Sequence, residues 1–404
     1  MNKPALSGGD PALLRRLNIE SVLRTLRNAE PMTLTQIGAA TSLSRQTVDV
    51  VITELTEGGW IEEVAPEKSI GRPARRYRFR AETGHVLGVD VGSSGLRLAL
   101  ADLDGKPVAA EWSPIDPIEG GAARLEAVRV GVEEFLGRQT GIRLRALCLG
   151  VPAIVDGSGR VRLSTPMPEW NGSELARVAG TWFGCPAYAE NDANLATLAE
   201  HWLGAAQQVD DFIQVIAGHR TGTGMMLGGR LHRGRGGAAG EIGALAVLGW
   251  ESDAMNVVRE AADSAKIFAD AQAGDSVAVE QVDRFAHTLA QGIAAMVLTI
   301  NPELVVVGGG LSQAGEAMAG PIRNHLERLC LDVPRVDVSA LGAEAVALGA
   351  VRLALDRVNE ELFGSHGLGR PAAANGARGA HRPLNPAALD SPRPDPLSGW
   401  AELR

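Results

Sequence analysis

Two kinds of hydrophobic spacing divide the chain. Up to about residue 57 the apolar residues recur at helical intervals, whereas from His85 they alternate with the period of two that is typical of strands. The segment VLGVDVGSSGLRLALADLDGKPVAAEWSPI contains three strand-like runs, and DFIQVIAGHRTGTGMMLGGRLHRG repeats the same arrangement of strands and glycine breaks. Since helices separate and follow these repeats, the pattern predicts an α/β protein with two similar lobes.

The first 57 residues predict three helices. Residues 11–29 form an amphipathic helix that ends before Pro31, and two shorter helices follow. Thr33 or Thr35 can cap the first short helix, and Ser42 or Ser44 the second. The two short helices share one apolar face, which is formed by Ile37, Ala40, Leu43, Val48, Ile52 and Leu55. This arrangement indicates a helix-turn-helix, whose second helix normally enters the major groove of DNA.

The polar residues of this region predict contacts with DNA. The outward positions of the second short helix are Ser44, Arg45, Gln46, Thr47, Asp49, Val50 and Thr53. Arg and Gln at a helix N-terminus can pair with guanine and adenine edges. After a predicted strand comes a basic stretch without acids, which contains Lys68, Arg72, Arg75, Arg76, Arg78 and Arg80. We therefore predict a winged helix-turn-helix over residues 11–80, although a solvated helical hairpin with a charged loop is the alternative.

A polar cluster opens a helix at AENDANLATLAE, residues 189–200. Asn191, Asp192 and Asn194 supply three side chains with acceptor oxygens, whereas capping a helix needs one. The surplus suits a polyhydroxylated ligand, with Asp192 placed as a general base, and plain capping is the alternative. Glu241 is a single acid among small residues, which suits either a ligand loop or a flexible loop.

Glycine-rich breaks follow several predicted strands, at Gly92 to Gly95, in the second repeat and at Gly308 to Gly310. Such breaks let backbone N–H groups approach a phosphate, but each is a weak signal alone. The segment from Gly364 to the end is rich in Pro, Gly, Ala and Arg, and we expect residues 364–404 to be disordered.

Composition narrows the class of protein. The chain has 404 residues, of which 45% are hydrophobic and 4% aromatic, as in globular α/β proteins. The three cysteines are far apart, and the sequence contains no signal-peptide core and no apolar run of about 20 residues. We therefore expect a cytoplasmic location and no membrane partner. Residues 1–80 carry 12 basic and 9 acidic residues, whereas the remainder carries 27 and 39, so the N-terminal part suits an anionic partner.

Taken in order, these motifs resemble the transcriptional regulators of the ROK family (repressors, open reading frames, kinases) over residues 11–357. The resemblance implies an actin-like, sugar-kinase fold for residues 85–357, with a sugar in the cleft between two lobes. In the kinase members the catalytic base matches Asp192, and sugar contacts match Asn191 and Glu241. The glycine-rich nucleotide-side motifs contain Gly92, Gly222, Gly224, Gly309 and Gly310.

Three departures from the family pattern change these expectations. Ser93-Ser94 stand where a kinase has Gly-Thr, and Pro166 replaces an asparagine that contacts sugar. The family's zinc-binding histidine corresponds to Ala244, and VLGWESDAMN follows without any cysteine. Because zinc sites use His and thiolate ligands, we expect no zinc, and we expect packing to hold that loop instead.

The leading hypothesis is a sequence-specific DNA-binding regulator of carbohydrate metabolism that senses a sugar or sugar derivative. It is a repressor or an activator, and a repressor is favoured. Its expected partners are an operator in duplex DNA, the sugar, and further copies of the chain in a homodimer or homotetramer. The alternative is an active sugar kinase with an appended DNA-binding domain, and ATP is expected only in that case. A third possibility is a regulator that responds to protein contacts alone.

Overall fold

The computed structural model describes residues 11–64, 74–92, 95–115, 121–218, 220–259, 264–363 and 398–401. The helices are α1 Pro11–Leu26, α2 Leu34–Thr41, α3 Arg45–Glu57, α4 Gly121–Gly137, α5 Leu175–Phe183, α6 Asp192–Trp202, α7 Asp253–Arg259, α8 Ser264–Gln272, α9 Ser276–Ile300, α10 Glu316–Leu329, α11 Ala345–Phe363 and α12 Ser398–Ala401. The strands of the first half are β1 Met32–Thr33, β2 Ile61–Val64, β3 Arg76–Phe79, β4 His85–Val91, β5 Gly95–Asp102, β6 Pro107–Pro114, β7 Leu144–Val151, β8 Ile154–Val155, β9 Val161–Leu163 and β10 Ala187–Asn191. Those of the second half are β11 Phe212–Ala217, β12 Thr221–Leu227, β13 Arg230–Leu231, β14 Leu304–Gly308 and β15 Arg335–Val338.

The N-terminal unit consists of α1 to α3 and an antiparallel sheet in the order β1-β3-β2. Of the alternative caps, Thr33 caps α2 in a capping box with Gln36, and Ser44 caps α3 by accepting the N–H of Thr47 at 3.1 Å. The shared apolar face forms as predicted at Ile37, but Ala40 is exposed because α2 turns that side toward solvent.

The body, from β4 to α11, contains two lobes with the same strand topology. The first lobe has the sheet order β6-β5-β4-β7-β10, and the second has β13-β12-β11-β14-β15. In each lobe the first three strands form an antiparallel meander, and the last two lie parallel to the first strand. The repeat in the sequence therefore corresponds to two similar lobes, as the alternation predicted.

Two helices cross between the lobes. Helix α6 continues from the first lobe and packs on β11 and β12 of the second, whereas α11 follows the second lobe and packs on β4 and β7 of the first. A Cβ added at Gly349 of α11 would lie 1.8 Å from the carbonyl oxygen of Leu195 in α6. Since only glycine permits this approach, the two helices lock together at their crossing.

The N-terminal unit lies against the body through buried groups of both signs. The Nε atom of Arg27 lies 3.2 Å from Oδ1 of Asp104 in the β5–β6 turn, and both side chains are 8% exposed. Arg27 also donates to the Asn359 side chain of α11, and its guanidinium lies 5.4 Å from the ring centre of Phe79 in β3. One hydrophobic cluster joins core residues of the N-terminal unit to residues of β4, β5 and α11.

Several predicted boundaries differ from those observed. The helix predicted from Phe285 begins already at Ser276, because Asp275 caps it there by accepting the N–H of Ala278. In the segment predicted to be disordered, Ser398–Ala401 form α12, and Trp400 is buried beside β6. The prediction is wrong for these residues, because an aromatic ring can bury itself without a periodic pattern around it. Residues 364–397 lie outside the described ranges.

Candidate functional site

The polar cluster lies where β10 passes into α6. Asn191 ends β10 and caps α6, since its side-chain oxygen accepts the N–H of Asn194 at 3.0 Å. Its Nδ2 donates to the carbonyl of Ala153 at 3.1 Å, so the side chain is anchored on two sides. An amide has two N–H groups, and the second can still serve a ligand.

Much of the predicted surplus of polar groups is used within the fold. The carboxylate of Glu190 is 4% exposed and accepts the side-chain N–H of Asn194 at 2.9 Å. Arg233, from the glycine-rich segment of the second lobe, pairs with the other oxygen of Glu190 at 2.5 Å. This network holds the two lobes together beside Asp192. Sequence reasoning missed both Glu190 and Arg233, since they are 43 positions apart.

Asp192 begins α6 and remains partly exposed. Loss of hydration raises the pKa of its carboxyl to about 6, although the N–H of Ala193 bonds to it at 2.8 Å and opposes the rise. The charge of Glu241 adds to the increase, and Arg220 opposes it. The structure therefore brings Asp192 and Glu241 within electrostatic reach of each other. An Asp with this pKa is ionised at neutral pH and accepts hydroxyl protons readily.

Glu241 opens a short 3-10 helix, Glu241–Ala244, in the second lobe and is exposed. Partial loss of hydration raises the pKa of its carboxyl, and Arg220 opposes that rise. Arg220 is half exposed and lies 3.9 Å from Glu251. Arg220 acts on the carboxylates of both Asp192 and Glu241, so it limits their mutual repulsion and leaves their oxygens able to accept hydrogen bonds.

A third carboxylate of this region was not predicted as a site residue. Asp90 lies near the end of β4, is 8% exposed, and faces Arg97 of β5 at 3.9 Å. Burial raises the pKa of Asp90 to about 7, and the charge of Asp192 contributes to the rise. Arg97 also lies 4.0 Å from Glu344, just before α11. The only signal in the sequence was the position of Asp90 two residues before Gly92. We call the region of Asp90, Asp192 and Glu241 the ligand cleft.

The five candidate glycines lie in different settings. Gly92 follows β4, and its carbonyl accepts a hydrogen bond from the buried Arg124 at 2.6 Å. Gly222 and Gly224 lie within β12 and not in a loop, since the predicted break is confined to residues 218–220. A Cβ at Gly224 would lie 2.1 Å from the Thr197 hydroxyl, so the glycine allows α6 to pack closely on β12.

Gly309 follows β14 with φ 88°, and a Cβ there would lie 2.5 Å from the carbonyl oxygen of Ala217 at the end of β11. Gly310 begins a 3-10 helix, and among the described residues no atom beyond its chain neighbours lies within 4 Å of where its Cβ would be. Because the carboxyl ends of parallel strands share an edge, Gly309 and Gly310 lie where α/β proteins commonly bind phosphates.

The loop after Glu241 is anchored by Trp250. This ring is 1% exposed, donates from Nε1 to the carbonyl of Thr288 at 3.1 Å, and occupies the space above Gly292 of α9. Met255 and Val258 of α7 belong to the same hydrophobic cluster. The loop after Glu241 is therefore held by packing against α7 and α9. Within the described ranges, no group of three or more His, Cys, Asp or Glu side chains has a metal-binding arrangement.

The predicted DNA-contacting residues of α3 are at its N-terminal end. Ser44, Arg45, Gln46 and Asp49 are exposed, and Thr47 is partly exposed. The hydroxyls of Ser44 and Thr47 lie 2.8 Å apart, so they are also engaged in capping α3. The opposite side of the helix packs on the core through Val48, Val51, Ile52 and Leu55.

The basic stretch is less positive than its sequence indicates. Arg78 pairs with Glu62 at 2.6 Å and with Glu82 at 3.1 Å, and Arg80 lies near the same two acids. Glu62 comes from the neighbouring strand β2 and Glu82 from the turn that follows β3, so both acids lie outside the basic stretch itself. The side chain of Arg75 is 70% exposed, and its guanidinium lies 3.5 Å from the carboxylate of Glu63.

Arg76 begins β3, and Arg72 lies outside the described residues. Among the helices that the structure describes, none is both long and apolar enough to cross a membrane.

Comparison with known proteins gives matches to regulators and to kinases. The model of the ROK family matches residues 86–254 and 252–357. The xylose repressor of Caldicellulosiruptor bescii is 24% identical over 389 residues, which cover 86% of this chain and 97% of the repressor. The glucokinase of Thermotoga maritima is 27% identical over 313 residues, which cover 68% of this chain and 98% of the kinase.

Among solved structures, a ROK family transcriptional regulator described as a homologue of the Escherichia coli MLC protein shares the fold. Its TM-score is 0.66 at 21% identity, and the match covers 85% of this chain and 96% of that one.

The two coverages differ in a way that concerns the N-terminal unit. The repressor match covers about 347 residues of this chain, more than the roughly 320 that follow Gly84, so it extends into the N-terminal unit. The glucokinase match covers about 275 residues, which is the size of the body alone. The family model covers well over half of the chain, and the chain belongs to the ROK family.

Proposed function

We propose that this protein is a sequence-specific DNA-binding regulator of carbohydrate metabolism, and a repressor in the first instance. In this proposal residues 11–80 form a winged helix-turn-helix domain, and residues 85–357 bind a sugar or sugar derivative. The observation that carries it is the N-terminal unit itself, into which the repressor match extends and which presents the polar face of α3 to solvent.

On the DNA side, α3 is the element that reads bases. Arg45 and Gln46 are exposed in its first turn, where helix-turn-helix proteins contact base edges. Ser44, Thr47 and Asp49 lie beside them, and the exposed Arg75 reaches phosphates near β3. Arg72 and Arg76 belong to the same proposed phosphate-contacting group. A two-fold dimer, or a tetramer made of two such dimers, would place two α3 helices on half-sites about one DNA turn apart.

Binding-site selection with variants tests the DNA side. Arg45→Ala should weaken binding by about 1 to 3 kcal/mol and relax the preference at one base pair. Arg75→Ala should weaken all sequences alike and reduce the salt dependence. An unchanged selected sequence for Arg45→Ala would show that α3 is not the reading helix.

On the ligand side, Asp192 and Glu241 accept sugar hydroxyls, and Asn191 donates its second N–H. The support is their convergence from two lobes, with Arg220 moderating the negative charge. We propose that this cleft operates without zinc, since Trp250 already anchors the loop. Binding that spans the two lobes would favour one lobe arrangement over another, and only that difference in affinity can alter the protein's state.

A continuous packed route connects the ligand cleft to the N-terminal unit. Asp192 begins α6, and the backbone of α6 contacts α11 at Gly349. Helix α11 then extends to Asn359, which accepts a hydrogen bond from Arg27. We propose that lobe closure shifts α6 against α11 and thereby moves the N-terminal unit through Arg27 and Asp104. Variants at the far end of this route test it, as described in the Discussion.

The second candidate is an active sugar kinase with an appended DNA-binding domain. Asp192 favours it, because a carboxylate with a pKa of about 6 suits a general base, and Gly309 and Gly310 lie where a nucleotide could bind. ATP would be a cosubstrate in that case only. A panel of sugars with and without ATP discriminates the two functions: both give a thermal shift with their sugar, but only the kinase releases ADP when ATP is added.

A further inference from the structure

Val50 is an apolar residue on the exposed side of α3. Its side chain is 59% exposed, although the helix packs its other side on the core. With about 100° between successive residues, Val50 points roughly 150° away from the mean direction of the buried residues. Those buried residues are Val48, Val51, Ile52 and Leu55. Val50 thus belongs to the surface that α3 offers to a partner.

Folding requirements do not explain a valine here. A β-branched residue loses rotamer freedom in a helix, so it favours the helix less than most polar alternatives. Its neighbours on the exposed face are polar: Gln46 one turn before, Asp49 beside it and Thr53 after it. The Thr53 hydroxyl already donates to the carbonyl of Asp49 at 2.9 Å. The face therefore carries one apolar group inside a polar border.

The neighbouring charge indicates what this turn of α3 approaches. Asp49 is exposed on the same face, and a carboxylate is repelled by phosphates but can accept a hydrogen bond from cytosine N4. This turn consequently suits the floor of the groove better than the sugar–phosphate backbone. In the major groove the apolar group that a base pair exposes is the C5-methyl of thymine.

We propose that Val50 determines specificity by packing against a thymine C5-methyl in the operator, one helical turn beyond the contacts of Gln46. This inference rests on the proposed DNA-binding function and adds the identity of one base. The two methyl groups of Val50 would become buried against the thymine methyl group, and this contact would exclude water from both side chain and base. Cytosine or uracil at the same position would leave the valine facing a gap or water.

Replacing thymine by deoxyuridine tests this contact, because it removes the C5-methyl group and keeps the base pairing. Duplexes selected by the full-length wild-type protein are resynthesised with deoxyuridine at one thymine at a time, and affinity is measured by fluorescence anisotropy. We expect about a fourfold loss at one position per half-site, as for one buried methyl group. Val50→Ala should lose affinity for the thymine duplex and no longer distinguish thymine from uracil at that position. Val277→Ala, at a 62% exposed valine of α9, should behave like wild type.

The outcomes separate this inference from the function on which it rests. If selection enriches no duplex, the proposed DNA-binding function itself fails. If a sequence is enriched but no deoxyuridine substitution weakens binding, the contact with a thymine methyl is excluded. The same conclusion follows if Val50→Ala still distinguishes thymine from uracil as strongly as wild type.

Discussion

Removing Arg27 should separate the N-terminal unit from the control of the body. The Arg27–Asp104 pair joins the residue that follows α1 to the β5–β6 turn with both side chains 8% exposed, so solvent screens it little. Burial lowers the pKa of the Arg27 guanidinium, and Asp104 opposes that effect. Arg27→Met keeps most of the side-chain volume, but it leaves the carboxylate of Asp104 buried without its partner.

The expected cost follows from this burial. Breaking one partner of a buried ion pair typically costs about 3 to 5 kcal/mol. The cation–π contact with Phe79 adds about 0.5 to 2 kcal/mol. Arg15→Met is the matched control, because Arg15 is another ion-paired arginine of the N-terminal unit, but its pair with Glu54 is exposed and internal to that unit. Such a pair contributes about 0 to 1 kcal/mol.

Urea unfolding and operator binding measure the two consequences. Arg27→Met should show an early unfolding step of the N-terminal unit, and it should bind operator in the absence of sugar while responding weakly to sugar. Arg27→Met/Asp104→Asn should recover stability, since no unpaired charge is buried, but not the response. If Arg27→Met matches Arg15→Met in both measurements, the buried pair does not couple the two parts.

Two further predictions concern the body. Asp90 has a native pKa of about 7 against an ordinary value of 3.8. Between these pH values the native state keeps a proton that the unfolded state has lost, so the free energy of unfolding falls as pH rises through that window. Asp90→Asn should remove this dependence, with a gain over wild type in urea unfolding that grows between pH 5 and pH 8 to at most about 4 kcal/mol; a gain that does not change with pH would contradict it. Gly292→Ala would place a Cβ 2.3 Å from Cζ2 of Trp250 and should destabilise the body by about 1 to 3 kcal/mol. Gly137→Ala, where apart from α4 itself no atom of a described residue lies within 4 Å of the added Cβ, should be nearly neutral, and equal effects of the two would refute the packing argument.

The sequence predicted the two lobes because the strand pattern and its glycine breaks recur, and both depend on neighbouring residues. The motifs that contain Asp192 and Glu241 lie within electrostatic reach of each other in the fold, and the role of these two residues in binding a ligand stays a prediction. The hydrogen-bond partners of the candidate site residues were harder to predict from the sequence. Asn191 is anchored by the carbonyl of Ala153, which is 38 positions away, so no local pattern could show it.

The same limit explains what was missed. Asp90 joins the ligand cleft only because β4 and β10 both pair in parallel with β7. The basic stretch near β3 contains no acid in its own sequence, but Glu62 pairs with Arg78 across the sheet. Trp400 was assigned to a disordered tail, and its burial depends on a surface almost 300 positions earlier.

The central claim is that a sugar in the ligand cleft controls DNA binding without being phosphorylated. One titration tests it directly: operator anisotropy and ADP release are followed together as each sugar of a panel is added to the protein with ATP and Mg²⁺. We predict that one sugar changes operator affinity without ADP release. Asp192→Asn should bind operator normally and need roughly ten- to a hundredfold more of that sugar, since a charged hydrogen-bond acceptor is lost. Stoichiometric ADP release that Asp192→Asn abolishes, with operator affinity unchanged by every sugar, would contradict the account.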